Sequence, residues 1–114
     1  MSEDLFLKII AGDIPADILF EDDSVIAFRD IQPQAPVHIL IVPKKRIPTL
    51  NDLEDSDARL VGHMVSVART LAVEEGISEE GYRLVFNCND NGGQSVYHIH
   101  LHLLGGRKLS WPPG

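Results

Sequence analysis

The chain has 114 residues, enough for one domain with a single core, and its apolar and charged fractions of 44% and 24% are those of an ordinary globular protein. A formal net charge of −7 argues against a protein that grips a nucleic-acid backbone, although backbone N–H groups and neutral side chains can still hold a single phosphate. No apolar run approaches the roughly 20 residues needed to cross a bilayer. The acidic start Met1-Ser2-Glu3-Asp4 does not read as a secretory signal, and the lone Cys88 fits a reducing compartment. A cytoplasmic location with no membrane partner is therefore expected.

Ser2 or Asp4 can cap a short helix carrying Leu5, Phe6, Ile9 and Ile10 at helical spacing, with Gly12 as the stop and Pro15 beyond it. Asp17 to Phe20 and Val25 to Phe28 are strand candidates joined by the turn-like Glu21-Asp22-Asp23-Ser24, which predicts a β-hairpin. Asp30 to Pro36 holds two prolines and no periodicity, so it reads as a loop. Val37 to Val42 is a third strand ended by Pro43, with His38 on the same side as Leu40 and Val42. Asn51 and Glu54 have the spacing of a capping box, with Ser56 as a rival cap.

From about Asp57 to Glu75 the pattern predicts one long helix. Arg59, His63, Ser66 and Thr70 form its polar stripe, and Val61, Met64, Val65, Ala68, Leu71 and Ala72 its apolar face. Gly76 is the expected stop, but Glu74 and Glu75 sit unfavourably against a negative helix end. Tyr82 to Asn87 is a fourth strand. The order of elements predicts an α+β fold: a sheet of about five strands, mainly antiparallel, with one long and one short helix. Whether the long helix serves as a parallel crossover is left open by pattern alone.

The fifth strand candidate, Tyr97 to Leu104, holds three of the five histidines at every second position. On an extended strand His98, His100 and His102 line one face at a spacing of roughly 7 Å, and Ile99, Leu101 and Leu103 line the other. The row has three readings: a solvent face that happens to carry histidines, a metal site, or nucleophilic and acid–base catalysis. Three imidazoles along one straight strand diverge too far to share an ion easily. The preceding Gly92-Gly93-Gln94-Ser95 offers N–H groups, a hydroxyl and an amide but no carboxylate or thiolate. That inventory suits phosphate oxygens, and Asn87 is a further amide. The pattern favours phosphoryl chemistry, with no metal and no cofactor expected.

The run Gly92 to Arg107, with His, apolar, His, apolar, His and two apolar residues at its centre, resembles the signature of the histidine-triad family. Ile14-Pro15-Ala16, Glu21-Asp22-Asp23, the stretch Asp30 to His38, Val42 to Lys45 and the ending Trp111-Pro112-Pro113-Gly114 resemble its purine nucleoside phosphoramidase branch. The resemblance spans nearly the whole chain, which it makes a single histidine-triad domain over residues 1–114 with a short tail at 109–114. It implies a homodimer with a continuous sheet and a purine nucleotide as substrate or product. His100 would be the nucleophile on the α-phosphorus of a nucleoside 5′-phosphoramidate, forming a nucleotidyl-histidine intermediate. His102 would contact the phosphoryl group, with Asn87, Ser95 and the Gly93-Gln94 backbone around its oxygens. Asp30 would accept from the ribose hydroxyls, with Ile31 beside the sugar and base. His38 and His98 would orient the nucleophilic ring, and Trp111 would lie near the partner's site.

Overall fold

Both faces of Val25–Arg29 and Val37–Pro43 are buried, so these two strands must lie at the centre of a sheet covered on both sides. A computed structural model describes residues 5–114 and meets that requirement. Its strands are β1 (Ile18–Glu21), β2 (Val25–Arg29), β3 (Val37–Pro43), β4 (Tyr82–Val85) and β5 (Leu101–Gly105). They form one antiparallel sheet in the order β1-β2-β3-β5-β4. The helices are α1 (Leu5–Ala11), α2 (Ala58–Glu74) and the single-turn α3 (Asn89–Gly92). This is the expected α+β fold.

Side-chain alternation divides the core in two. Val25 and Ala27 of β2, Ile39 and Ile41 of β3, and Leu101 and Leu103 of β5 face α2, where they meet Met64, Val67, Ala68, Leu71 and Ala72. Ile26, Phe28, Leu40 and Val42 face the other way and pack against Phe6 and Ile9 of α1 and against Val96. Each fully buried aliphatic or aromatic side chain contributes about 1.5–3 kcal/mol, so the two clusters hold the layers together. On α2 the buried residues recur at i, i+3, i+4, i+7 and i+8 from Met64. Val65 lies one position off that stripe and stands exposed, against the expectation that it belongs to the apolar face.

Gly12 and Gly76 end α1 and α2 with φ of +81° and +75°, the left-handed conformation a glycine stop supplies. The caps proposed at Ser2 or Asp4 lie outside the described residues. Two 3-10 turns precede α2: Thr49 caps the first in a capping box with Asp52, and Glu54 and Asp57 pair likewise in the second. The boxes therefore start two residues before and three residues after the expected Asn51–Glu54, and neither is capped by Ser56. The acidic end of α2 is resolved by tertiary contact, because Arg29 of β2 grips Glu75 through two hydrogen bonds of 2.9 and 2.8 Å. β3 and β4 run the same way but are separated by β5, so α2 crosses between parallel strands that do not pair.

Two strand boundaries differ from expectation by two residues or more. β4 ends at Val85 and not Asn87. The histidine row becomes a strand only at Leu101, and ahead of it the Ile99 N–H donates to the Ile47 carbonyl at 2.8 Å.

Candidate active site

The register of β3 and β5 sets Leu40 opposite His102 and His38 opposite Leu104, so His38 and His102 are diagonal neighbours on the α1 side of the sheet. Their rings lie 5.2 Å apart, and the His100 ring lies 4.9 Å from that of His102. Phe6 of α1 closes the group, its ring edge-on to His100 at 4.9 Å and to His98 at 6.0 Å. Alternation along the row is thus kept where the backbone is not yet a strand. All three imidazoles lie opposite the α2 face.

Fixed donors and acceptors settle the tautomers. A carbonyl can only accept, so the 2.8 Å contact between His100 Nδ1 and the His98 carbonyl places the proton on Nδ1. The lone pair of neutral His100 is then on Nε2. His98 turns its Nε2–H to the Pro43 carbonyl at 2.7 Å, and its own ring is wholly buried. On the other side the Gln34 N–H donates to His38 Nδ1 at 3.0 Å, so the proton of His38 is on Nε2. That atom is 2.9 Å from His102 Nδ1, which must accept. His102 therefore carries its proton on Nε2, a buried donor without a hydrogen-bond partner among the described residues.

Burial keeps all four rings neutral near pH 7. It is the largest cause of the downward shift at His38, His98 and His100, where hydrogen bonds or the Asp30 carboxylate pull back only partly. His102 is taken down to about 4, first by burial and then by the neighbouring His100 and His38. Neutrality is what an imidazole nucleophile requires.

Asp30 closes the group. Its Oδ2 stands 3.5 Å from His38 Nε2, and its Oδ1 accepts the Gln32 N–H at 2.9 Å. Among the described residues, Asp30, His38 and His102 are the one set with metal-ligating atoms gathered, within 4.8 Å of one another. His38 Nε2 and His102 Nδ1 are hydrogen-bonded to each other at 2.9 Å, so an ion held on those two nitrogens and the shared proton are mutually exclusive. An apolar pocket of about 160 Å³ adjoins the group, walled by Phe6, Ile9, Ile14, Phe28 and Leu40, with Asp30 and Ile31 at its lining. Ile31 is 91% exposed.

The loop before the histidines is built differently from expectation. Gly93 and Gln94 do not turn their N–H groups inward: these donate to the Asp90 and Asn89 carbonyls, both at 3.0 Å. The Gln94 side chain is buried and saturated, with Oε1 accepting the Asn89 N–H and Nε2 donating to the Pro48 and Val96 carbonyls. Gln94 thus braces the loop. Ser95 is exposed at its end, and half-buried Asn87 lies two residues past β4. Trp111 is not among the residues in ring contact with the histidines. Its ring sits under the Arg83 guanidinium of β4, 5.8 Å away, and Arg83 also holds the Ser110 carbonyl at 3.0 Å. Sequence reasoning missed the Gln34 N–H and the Pro43 carbonyl, because backbone groups carry no letter.

Residues 11–109 match the family model described as the HIT domain. The chain belongs to the histidine-triad (HIT) family. A purine nucleoside phosphoramidase of Escherichia coli is 57% identical over 107 residues, covering 94% of this chain and 90% of that protein. Among solved structures, a HIT family hydrolase from Legionella pneumophila is similar at 61% identity and a TM-score of 0.95, covering 96% of this chain and 98% of that one. A histidine triad protein from Clostridium difficile is similar at 44% identity and a TM-score of 0.90, covering 93% and 92%. The HIT fold is therefore shared across chains of nearly equal length.

Proposed function

We propose that this protein is a purine nucleoside phosphoramidase, a hydrolase of the P–N bond of nucleoside 5′-phosphoramidates. The observation that carries the reading is the His98 carbonyl on His100 Nδ1, which leaves the Nε2 lone pair of a buried neutral imidazole as the nucleophile. The name of the Escherichia coli relative supports it.

In this reading His100 Nε2 attacks the α-phosphorus and the P–N bond breaks. The electron pair of that bond leaves on the amine, which takes a proton. Water then attacks the nucleotidyl-histidine and releases the nucleoside 5′-monophosphate, restoring His100. His102 Nε2–H, the Asn87 amide and the Ser95 hydroxyl stabilise the phosphoryl oxygens as charge builds. Gly93 and Gln94 act by shaping the loop that presents Ser95. Asp30 accepts from the ribose hydroxyls, and the apolar pocket beside Ile31 takes the purine. His98 and His38 support the two active rings, and no metal or other cofactor is needed for these steps.

The protein is read as one cytoplasmic domain over residues 1–114, with 109–114 as a tail. β4 is an edge strand, so pairing of two β4 strands across a two-fold axis gives a homodimer with one continuous sheet. Such a dimer offers Trp111, held on β4 by Arg83, a route toward the partner's site. Incubation with adenosine 5′-phosphoramidate tests the activity. Release of AMP, with a transient protein species heavier by one nucleotidyl group, supports it. Affinity for AMP without turnover would instead make the protein a nucleotide-binding module.

A further inference from the structure

Arg107 lies just beyond β5, and its side chain reaches back over the loop that precedes β3. Its Nη2 donates to the Gln34 carbonyl at 2.9 Å, while Nη1 donates to the Lys108 carbonyl at 3.1 Å. The peptide that follows the Gln34 side chain is thereby pinned on one side by a guanidinium. On the other side the Gln34 N–H meets His38 Nδ1 at 3.0 Å. The same loop is fastened at its start, where Asp30 N–H donates to the His38 carbonyl at 3.0 Å and Asp30 Oδ1 takes the Gln32 N–H. The approach of the two segments is close: a Cβ on Gly106 would stand 2.9 Å from Pro36 Cβ.

We propose that Arg107 is a positioning residue for the reaction, fixing the Gln34 N–H on His38 Nδ1 and so deciding which nitrogen of His102 carries a proton. The relay has no freedom once its first member is set. An N–H on His38 Nδ1 leaves the His38 proton on Nε2, that proton occupies His102 Nδ1, and the His102 proton is left on Nε2. Resting on the phosphoramidase reading, that last N–H is the donor offered to the phosphoryl oxygens. If Gln34 drifts, His38 can take the other tautomer and accept from His102 Nδ1. His102 Nε2 then presents a lone pair to an anion. Asp30 Oδ2, 3.5 Å from His38 Nε2, favours the same tautomer but at a distance too long to hold it alone.

The test uses the full-length wild type, Arg107→Ala and Arg107→Lys, with imidazole nitrogen NMR and steady-state kinetics on adenosine 5′-phosphoramidate. The wild type is expected to show the Nε2–H tautomer at both His38 and His102. Arg107→Ala is expected to populate the Nδ1–H form at both rings and to lower kcat by about ten- to a hundredfold, as expected for a misaligned donor, with KM little changed. Arg107→Lys, which keeps a donor near the Gln34 carbonyl, is expected to restore part of both signals. Unchanged tautomers in Arg107→Ala overturn the proposal even if turnover falls, since a general loss of packing does not select a tautomer. The NMR arm needs no substrate, so failure of the relay and failure of the phosphoramidase reading are told apart.

Discussion

The carbonyl oxygen of His98 lies 2.8 Å from Nδ1 of His100, so the first histidine of the row holds the second through its backbone and not through its ring. The His98 ring itself is spent on the Pro43 carbonyl. Replacing His100 removes its Nε2 lone pair, and the unpartnered His98 Nδ1 cannot substitute because that ring is wholly buried. His100→Asn is expected to lower turnover of adenosine 5′-phosphoramidate by roughly 10³-fold or more, the scale seen when a nucleophile is removed. Mass spectrometry of quenched reactions should then find no nucleotidyl adduct. Turnover equal to wild type would take the nucleophile's role from this residue.

Asp30 has a carboxylate oxygen at 3.5 Å from His38 and a second one tied to the Gln32 N–H. Asp30→Asn keeps the size but replaces an acceptor oxygen with a donor. A charged hydrogen bond to a ribose hydroxyl is worth about 1.5–3 kcal/mol, so KM is expected to rise roughly tenfold or more. The preference for ribose over 2′,3′-dideoxyribose substrates should shrink in the variant. An unaltered preference would place the sugar elsewhere.

Acid should weaken this protein early. The unfolded chain takes up a proton on His102 near its ordinary value of 6.5, whereas the folded chain takes it up only near about 4. The stabilisation is complete above pH 6.5 and is lost progressively as pH falls from there toward 4. His38, His98 and His100 are shifted in the same direction by burial. Denaturant unfolding is expected to show a progressive loss of stability between pH 7.5 and pH 4.5, to which all four rings contribute with the same sign. The acid limb of kcat/KM should fall below 6.5, because His100 stays neutral there. Stability independent of pH over that interval would contradict the neutral buried rings.

Gly106 has φ of +91°, and an added Cβ would meet Pro36 Cβ at 2.9 Å. Gly106→Ala combines a strained backbone with a contact to a rigid ring, at a cost of about 2–3 kcal/mol. Tm is expected to drop by roughly 10 °C or more, read by calorimetry. A change within a degree or two would mean that the 30–36 loop yields freely.

Local patterns carried much of the fold. The hairpin, β3, the length of α2 and the stops at Gly12 and Gly76 each have a short-range cause in alternation, helical spacing or glycine chemistry, and each was legible in the sequence. The capping of the turns before α2 was not, since Thr49, Asn51, Asp52, Glu54, Asp55, Ser56 and Asp57 offer caps in several registers. Glu75 looked misplaced at a helix end because its partner Arg29 is 46 positions away. The site was half legible. That His98, His100 and His102 share a face could be read from their alternation, and that His38 joins them only from the family resemblance, but which nitrogen of each is protonated depends on the backbone of Gln34, His98 and Pro43. The engagement of Gly93 and Gln94 in their own turn was hidden for the same reason.

The histidine segment is stitched to the far side of the chain by Gln94 Nε2 on Pro48, Ile99 N–H on Ile47 and His98 Nε2 on Pro43, at 2.7, 2.8 and 2.7 Å. These bonds join positions 46 to 55 residues apart, with the long helix lying between. Contacts of such span form late when a chain refolds, after the hairpin and helix that need only neighbours. Helical signal should therefore recover ahead of turnover in a refolding experiment, with the aligned imidazole among the last features to be regained.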